Sequence, residues 1–509
     1  MNESEDEVIP DPKSSGITKE PLAYRAVRGG LWVAASSYFN VAFGFLANLV
    51  LTRILAPEDF GVFAMAGFFF ALVNLRPKMG IGQAFAQRKE TTGELVGTHL
   101  TLDVASGTVT VLLAGAAVAV LRAFGYSWDV VLVVLALAGV GIVDSVMGTA
   151  WILLDKELHF GRTSTVSSIV FPLSYLPAFW LALNGGAYWS LVAQNGTYAL
   201  LLLVGMWWAA RHHLPHIWQL RWGFDRRVAV DLVRFGGMVG LASIAGMLVV
   251  QFDDFLVGTF VGLATLGFYD RAYRIAQWPQ LLVASVVSRA AFYTYARLQG
   301  DAARLEKTVA MTTWLNTTVA LPLALAIFAS APDLVSLLYG DRWLASALLL
   351  RFLVVYSAAR PIMDNFGSLF TALGRPRLTA VTVGLEAAIL IVSGFPLTLL
   401  WGAVGTCAAV GLAFGVGLIV RLAYIRRLVQ LPLWDAIMAP TVAACLTLIG
   451  YTLLEQSVGF GDWPLVTRVV VKGVYAVGAF AALILLMQPE GTAERVRYTW
   501  RLALSRSDK

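Results

Sequence analysis

The sequence predicts an all-α polytopic membrane protein of about fourteen transmembrane helices, and three observations carry that expectation. Apolar residues make up 58% of the 509-residue chain and charged residues only 14%, about half the charged share of a soluble domain. Mean hydropathy is +0.71. Apolar stretches of about 20 residues recur from Leu31 to Met487, each long enough to cross a hydrocarbon core of about 30 Å. Such a composition excludes a disordered, collagen-like or ordinary cytosolic chain.

Windows of about 19 residues place the spans near 29–51, 61–83, 99–121, 130–153, 164–184, 188–209, 235–257, 272–296, 309–331, 346–371, 378–400, 402–424, 435–454 and 465–487. The seventh and eighth are interrupted by charge. Ahead of the first span, MNESEDEVIPDPKSSGITKEPLAYR is polar and acid-rich, the reverse of a signal peptide's order. The N-terminal tail is therefore expected to stay in the cytoplasm.

Basic residues set the expected orientation. With a cytoplasmic N-terminus, the even-numbered loops and both tails hold about 26 of the 38 lysines and arginines, against about six in the odd loops. Trp128, Trp189, Trp343, Trp401 and Trp463 fall at the outer boundaries, as an aromatic belt does. Both termini are thus expected in the cytoplasm. The net charge of +6 reflects this asymmetry, and no nucleic-acid partner is expected from it. Cys407 and Cys445 both lie in apolar stretches and read as small hydrophobes.

The longest loop divides the chain. The expected organisation is a tail at 1–28, spans 1–6 at 29–210, a cytoplasmic loop at 211–234 and spans 7–12 at 235–430; spans 13 and 14 at 431–488 and a tail at 489–509 follow. The halves echo each other at an offset of 206 residues, where Phe60-Gly61-Val62-Phe63 matches Leu266-Gly267-Phe268-Tyr269. A repeat of six spans keeps its orientation, so its pseudo-axis runs along the membrane normal, and transporters of this design place substrate between repeats. Pro77, Pro172, Pro177, Pro279, Pro322, Pro361 and Pro396 fall within spans. Each removes a helix hydrogen bond and favours a kink, for scaffolding or for gating.

Charges inside spans need a partner or a wet cavity, because an ion at the bilayer centre costs about 2.5–3.5 kcal/mol on insertion scales. The charges are Asp253, Asp254, Asp270, Arg271, Arg274 and Arg289 around spans 7 and 8, and Arg76 and Lys78 in span 2. Arg351, Arg360 and Asp364 in span 10 and the isolated acids Asp144 and Glu386 complete the set. Arg360 and Asp364 are four residues apart and can pair along a helix. Arg271 and Arg274 lie near the expected outer boundary, where snorkelling is the alternative to a cavity role. Asp144 and Glu386, like Asp253, Asp254 and Asp364, read either as ion-coupling groups or as structural ones.

Enzyme signatures are weak. His212, His213 and His216 cluster at the membrane–cytosol junction, a poor metal site. No nucleophile elbow, Walker loop or zinc-protease helix stands in a readable context. No metal or cofactor is expected. The outer loops are too short for a catalytic domain, so the expectation is a transporter and not an enzyme.

LTRILAPEDFGVFAMA (51–66), QRKE (87–90), DKELHFGR (155–162), VRFGGMVG (233–240) and VGLATLGFYDRAYRIAQWPQ (261–280) stand in order along the chain, followed by YGDRW (339–343) and LGRPR (373–377). With these strings the sequence resembles the Wzx-type polysaccharide flippases of the multidrug/oligosaccharidyl-lipid/polysaccharide exporter superfamily, the colanic-acid branch above all, over about residues 25–430. The resemblance implies a V-shaped pair of six-helix lobes around a partly cationic cavity, with two extra C-terminal helices. It implies movement of an undecaprenyl-pyrophosphate-linked oligosaccharide from the inner to the outer leaflet of a bacterial plasma membrane by alternating access. Membrane lipid, a polysaccharide polymerase and other export components are the implied partners. It also puts Arg53, Arg271, Arg274 and Arg289 within family motifs; with the in-span cations Arg76, Lys78 and Arg360 from the charge argument, the expected substrate-binding set is Arg53, Arg76, Lys78, Arg271, Arg274, Arg289 and Arg360. Relatives carry an Asp-x-Gly turn low in span 2, where this chain has Arg76-Pro77-Lys78-Met79-Gly80. A cation-coupled small-solute or drug antiporter of the same superfamily is the alternative, and a membrane polymerase or glycosyltransferase the more distant one.

Overall fold

The structure, a computed structural model, describes residues 22–74, 80–88, 90–220, 222–489, 491–492 and 495. Among these the regular elements are all helical. The first half comprises α1 (Leu22–Ile54), α2 (Pro57–Val73), α3 (Ile81–Gln87), α4 (Gly93–Ala123), α5 (Trp128–Lys156), α6 (Phe160–Leu183), α7 (Trp189–His213) and the short α8 (Pro215–Trp218). The second begins with α9 (Arg226–Phe260), α10 (Leu263–Ala276), α11 (Trp278–Arg297), α12 (Ala302–Tyr339), α13 (Ala345–Ser357), α14 (Arg360–Ala372) and α15 (Pro376–Ile425). Last come α16 (Ala439–Ser457) and α17 (Leu465–Met487). Local chemistry sets several of the starts. Thr92 and Ser127 accept from Leu95 N and Val130 N at the heads of α4 and α5, satisfying donors that have no partner inside the helix. Asp225 does the same for Arg227 N and Val228 N at α9.

Nine helices among the described residues are long and apolar enough to cross a membrane, so the protein is a multi-pass membrane protein. Some expected spans take a different form. The eighth is two helices, α10 and α11, meeting at Gln277 just before Pro279, and the tenth is α13 and α14, meeting just before Pro361. In both places proline opens the second helix, where its missing N–H costs nothing. The charges of the seventh span leave its helix unbroken: α9 runs through Asp253 and Asp254 and starts nine residues ahead of 235. Conversely α15, fifty residues long, contains two spans. Gly402 has φ 60° and ψ −141°, a backbone setting that glycine adopts without Cβ strain. The chain reverses there: a Cβ on Gly405 would lie 1.8 Å from the Leu397 carbonyl oxygen, and the Thr398 and Thr406 hydroxyls are 2.8 Å apart.

The arrangement of the core defines the architecture. One large apolar cluster joins both halves at the end where α1 meets α2, and includes Leu51, Met65, Leu137, Leu256, Leu266 and Leu350. Toward the opposite end the core divides. Phe85, Val96, Leu153 and Met206 form a separate cluster in the first half, joined by Leu232 from the start of α9. Tyr295, Phe366, Phe370 and Ile425 form another in the second. Two bodies fused at one end and separately packed at the other make a V. Helices α16 and α17 pack on α12 through Lys472, which lies 2.7 Å from Asp333, with Arg468 at 3.2 Å from the same carboxylate.

Candidate functional site

The fused end is held by the internal repeat. A Cβ placed on Gly61 would lie 1.7 Å from the Leu263 carbonyl oxygen, and one on Gly267 would lie 1.8 Å from the Pro57 carbonyl oxygen. Pro57 and Leu263 are separated by the same 206 residues as Gly61 and Gly267. The first turns of α2 and α10 therefore cross in a reciprocal interlock, each glycine Cα resting on the other helix's backbone. Only a residue without a side chain permits this approach, and it brings Cα–H groups against carbonyls as at other close helix crossings.

Arginines reinforce the joint from both sides. Arg342 donates to the carbonyls of Thr52 and Leu55 at 2.8 and 2.6 Å, and Trp343 Nε1 to that of Thr52 at 2.9 Å. Arg53 in turn donates to Leu337 and Leu338 carbonyls at 2.5 and 3.0 Å. Each cation thus sits at the C-terminal end of a helix from the other half, where terminal carbonyls lack partners and the helix dipole is negative. Gly340, at φ 94°, turns the chain so that Arg342 and Trp343 face α1.

Beside this joint lies a cavity of about 480 Å³ between the halves. Asn48, Tyr175, Gln194 and Asn195 line it from α1, α6 and α7; Gln251, Asp254, Asp270 and Arg274 line it from α9 and α10. Asp270 holds two arginines: Arg271, which is also 3.2 Å from Thr52 Oγ1 and 4.1 Å over the Phe60 ring, and Arg274, at 3.2 Å. Arg271 is 2% exposed, whereas the Arg274 side chain is 53% exposed. Snorkelling does not describe Arg271, which the α10 helix turns inward to the joint. Asp253 faces away from the cavity and accepts from Tyr269 at 2.7 Å.

A second cavity, about 440 Å³, lies wholly within the second half. Its charges are paired: Arg360 lies 3.5 Å from Asp364 and 4.9 Å over the Phe414 ring, and Gln280 donates to Asp364 at 3.0 Å. The i, i+4 pairing read from the sequence is present. Glu386, expected as an isolated acid, is ion-paired with Arg421, both buried, with its carboxylate against the Gly417 backbone. The reversal at Gly402 brings these two together across thirty-five residues, which a reading of each span by itself does not reveal.

Of the expected site residues, Arg271, Arg274 and Asp254 line the inter-lobe cavity, and Arg360, Asp364 and Glu386 the second. Arg53 belongs to the joint. Asp144, half-buried on α5, is in neither lining. Arg289 lies on α11, and its side chain is outside the described residues, as are Arg76 and Lys78 entirely. Sequence reasoning missed Asp103 on α4, 3% exposed, and the Asp333–Lys472 pair. For the second, a lysine inside the apolar run of span 14 was the available signal.

A two-lobed helical bundle with a polar chamber between its repeats defines a helical multi-pass membrane protein. The chain belongs to the polysaccharide biosynthesis protein family, which it matches over residues 50–348. It is 25% identical over 332 residues to the teichuronic acid biosynthesis protein TuaB of Bacillus subtilis (strain 168), covering 64% of this chain and 68% of that one. It is 26% identical over 326 residues to the succinoglycan biosynthesis transport protein ExoT of Rhizobium meliloti (strain 1021), covering 61% of this chain and 62% of that protein. Among solved structures, the lipid II flippase MurJ in an inward closed conformation aligns with a TM-score of 0.73 at 11% identity, over 89% of this chain and 99% of that one. At that identity the likeness is one of fold.

Proposed function

We propose that the protein is a flippase that moves an undecaprenyl-pyrophosphate-linked oligosaccharide repeat unit from the inner to the outer leaflet of the plasma membrane for polysaccharide biosynthesis. The observation that carries this reading is the polar cavity between the halves, set beside a joint built from their repeat. A flippase must shield sugar and pyrophosphate from hydrocarbon while the polyprenyl tail stays in lipid, and a chamber between two bodies does so. Residues 29–210 and 235–430 act as the two moving lobes. With both termini and the basic loops in the cytoplasm, the glycine interlock lies at the outer end. Its opening, with closure of the divided end, is the alternation that carries substrate across. Arg274 supplies a forked donor for phosphate oxygens, and Arg76, Lys78 and Arg289 supply further cations along the path. The protein carries its substrate without chemical change and passes it to polymerase and export components.

Deleting the gene and locating the lipid-linked oligosaccharide tests this. The expected result is accumulation in the inner leaflet. Accumulation of unpolymerised units in the outer leaflet would instead indicate a polymerase.

A further inference from the structure

We propose that the histidines at the end of α7 form, with the start of α6, a binding site for the phosphate headgroup of an anionic phospholipid in the leaflet that this end of the bundle meets. None of its residues lines either cavity, and the inference does not depend on the flippase reading.

His212 and His213 close α7, and the structure brings to them a third ring that the sequence does not group with them. His159, just ahead of α6, faces His213 with ring centroids 5.7 Å apart and an interplanar angle of 24°. His213 meets His212 edge-on at 4.9 Å, and His212 stacks on Trp208 at 5.8 Å and 4°. These rings form a continuous row across the ends of α6 and α7. Among the described residues no group of histidines, cysteines and carboxylates could hold a metal ion. His213 lies beyond residue 209, where the expected sixth span ends. Burial and then Arg162, His212 and His159 hold its pKa below the ordinary histidine value. The three neighbours that act on it are a cation and two groups that become cations, so the complement of the row is an anion.

A phosphodiester fits that chemistry. The exposed Arg162 offers forked donors to phosphate oxygens, an imidazole offers an N–H, and α6 presents the positive end of its dipole. A bound anion also favours the imidazolium that the surroundings of His213 suppress. The flanks favour a lipid over a soluble anion. Trp208 is 65% exposed and Trp32 of α1 is 52% exposed. The Trp32 ring stands beside the first turn of α6, where a Cβ on Gly161 would lie 3.8 Å from it. Indoles take such places at the headgroup level of a bilayer. His212, Trp208, Val204 and Leu200 follow one another at four-residue spacing, which puts them on one face of α7. Val204 and Leu200 are 67% and 53% exposed and offer the acyl chains an apolar track leading away from the row.

The test titrates the purified full chain with phosphatidylglycerol and with phosphatidylcholine of the same acyl chains, and follows binding by native mass spectrometry. Wild-type protein is expected to bind the anionic lipid about fivefold or more tighter, the scale of one cation acting at a membrane surface. Arg162→Gln and His213→Gln should each remove most of that preference, while phosphatidylcholine binding and the unfolding midpoint stay unchanged and report an intact fold. Arg304→Gln, at an arginine 79% exposed in the second half, should keep the preference. Lowering the pH from about 7.5 to about 5.5 should strengthen phosphatidylglycerol binding as His213 gains its proton, and His213→Gln should blunt that rise. Equal binding of the two lipids by wild-type protein overturns the proposal. So does an equal loss in Arg304→Gln, which would spread the attraction over the whole basic surface. Displacement of the lipid from wild-type protein by millimolar inorganic phosphate would give the row to a soluble anion and overturn it as well. The lipid comparison and the phosphate competition use wild-type protein, so they decide the matter even where a variant fails to fold.

Discussion

In the cavity of the second half, Glu386 is answered by Arg421, and Asp364 by Arg360 and Gln280. In the inter-lobe cavity, Asp270 holds two arginines, but only Arg271 is drawn into the joint, and Arg274 stays half-exposed. The volumes are similar, about 440 and 480 Å³, so size does not separate a scaffold from a site. The disposition of charge and backbone does. One cavity lies within a single body, where paired ions hold α14 and the two arms of α15. The other lies between two bodies that cross, side chain free, at a pair of glycines. Ions that hold one body together are expected to control stability, and groups between bodies to control transport.

The largest effect expected from this contrast is at Arg421. Arg421→Ala leaves Glu386 buried beside the Gly417 backbone without its cation, and removing one partner of a buried pair costs about 3–5 kcal/mol. Thermal unfolding of the purified protein should show a large loss, whereas replacing both residues together, as Glu386→Gln with Arg421→Met, should cost much less. A single variant as stable as wild type would end the distinction between the cavities.

Next come Gly61→Ala and Gly267→Ala. The new methyl would stand 1.7 or 1.8 Å from a backbone oxygen, so the helices must separate; overpacking of this kind typically costs about 1–3 kcal/mol. Export should fall about tenfold or more with membrane insertion intact, since an equilibrium shift of 1.4 kcal/mol is already tenfold. Because both variants spread the same crossing, the double variant should fall short of the sum of the singles. Normal export from both would remove the interlock from the transport cycle.

These positions also mark what was legible in the sequence. Hydropathy revealed the helical membrane body, because each span carries its own signal, and the 206-residue echo contained both glycines before their contact was known. Proline foretold the breaks at Gln277 and before Arg360. Hidden were the pairings between elements: Arg53 with Leu337, Arg342 with Thr52, Lys472 with Asp333, and Glu386 with Arg421. An arginine that caps another helix and one that binds substrate look alike in a sequence, since both are cations in apolar surroundings. Packing alone distinguishes them. The number of spans was blurred for a similar reason, as tight reversals such as Gly402 and breaks such as Gln277 are backbone events with little hydropathy signal.

A smaller effect is expected where two neighbours on one helix differ in burial. Arg271→Ala removes the cation packed on Phe60 and bonded to Thr52 and Asp270, and should cost about 1–3 kcal/mol, the range for stranding buried polar partners. Arg274→Ala should remain within about 0.5 kcal/mol of wild-type stability, yet lower export of the glycolipid. Measuring unfolding and export on both variants sharpens the contrast. The opposite pattern would place Arg271 in the substrate path and Arg274 in the scaffold.

The smallest effect is expected at Arg360 and Asp364. Their side chains are 26% and 33% exposed and 3.5 Å apart at i, i+4, a geometry worth about 0.3–0.5 kcal/mol on a helix surface. If they serve only to stay paired, Arg360→Ala and Asp364→Ala should each weaken export slightly. The swap Arg360→Asp with Asp364→Arg should restore most of it, giving a positive coupling in a double-mutant cycle. Gln280 tolerates the exchange: its Nε2 now donates to Asp364, and its amide oxygen can accept from an arginine at the same position. The Phe414 ring, stacked under Arg360 at 4.9 Å, would lose its cation in the swap, so rescue should be incomplete. Failure of rescue together with a loss of export far beyond that of Asp364→Ala would mean that Arg360 meets the substrate. The second cavity would then belong to the transport path, and the division between a scaffolding cavity and a carrying one would have to be redrawn at α14.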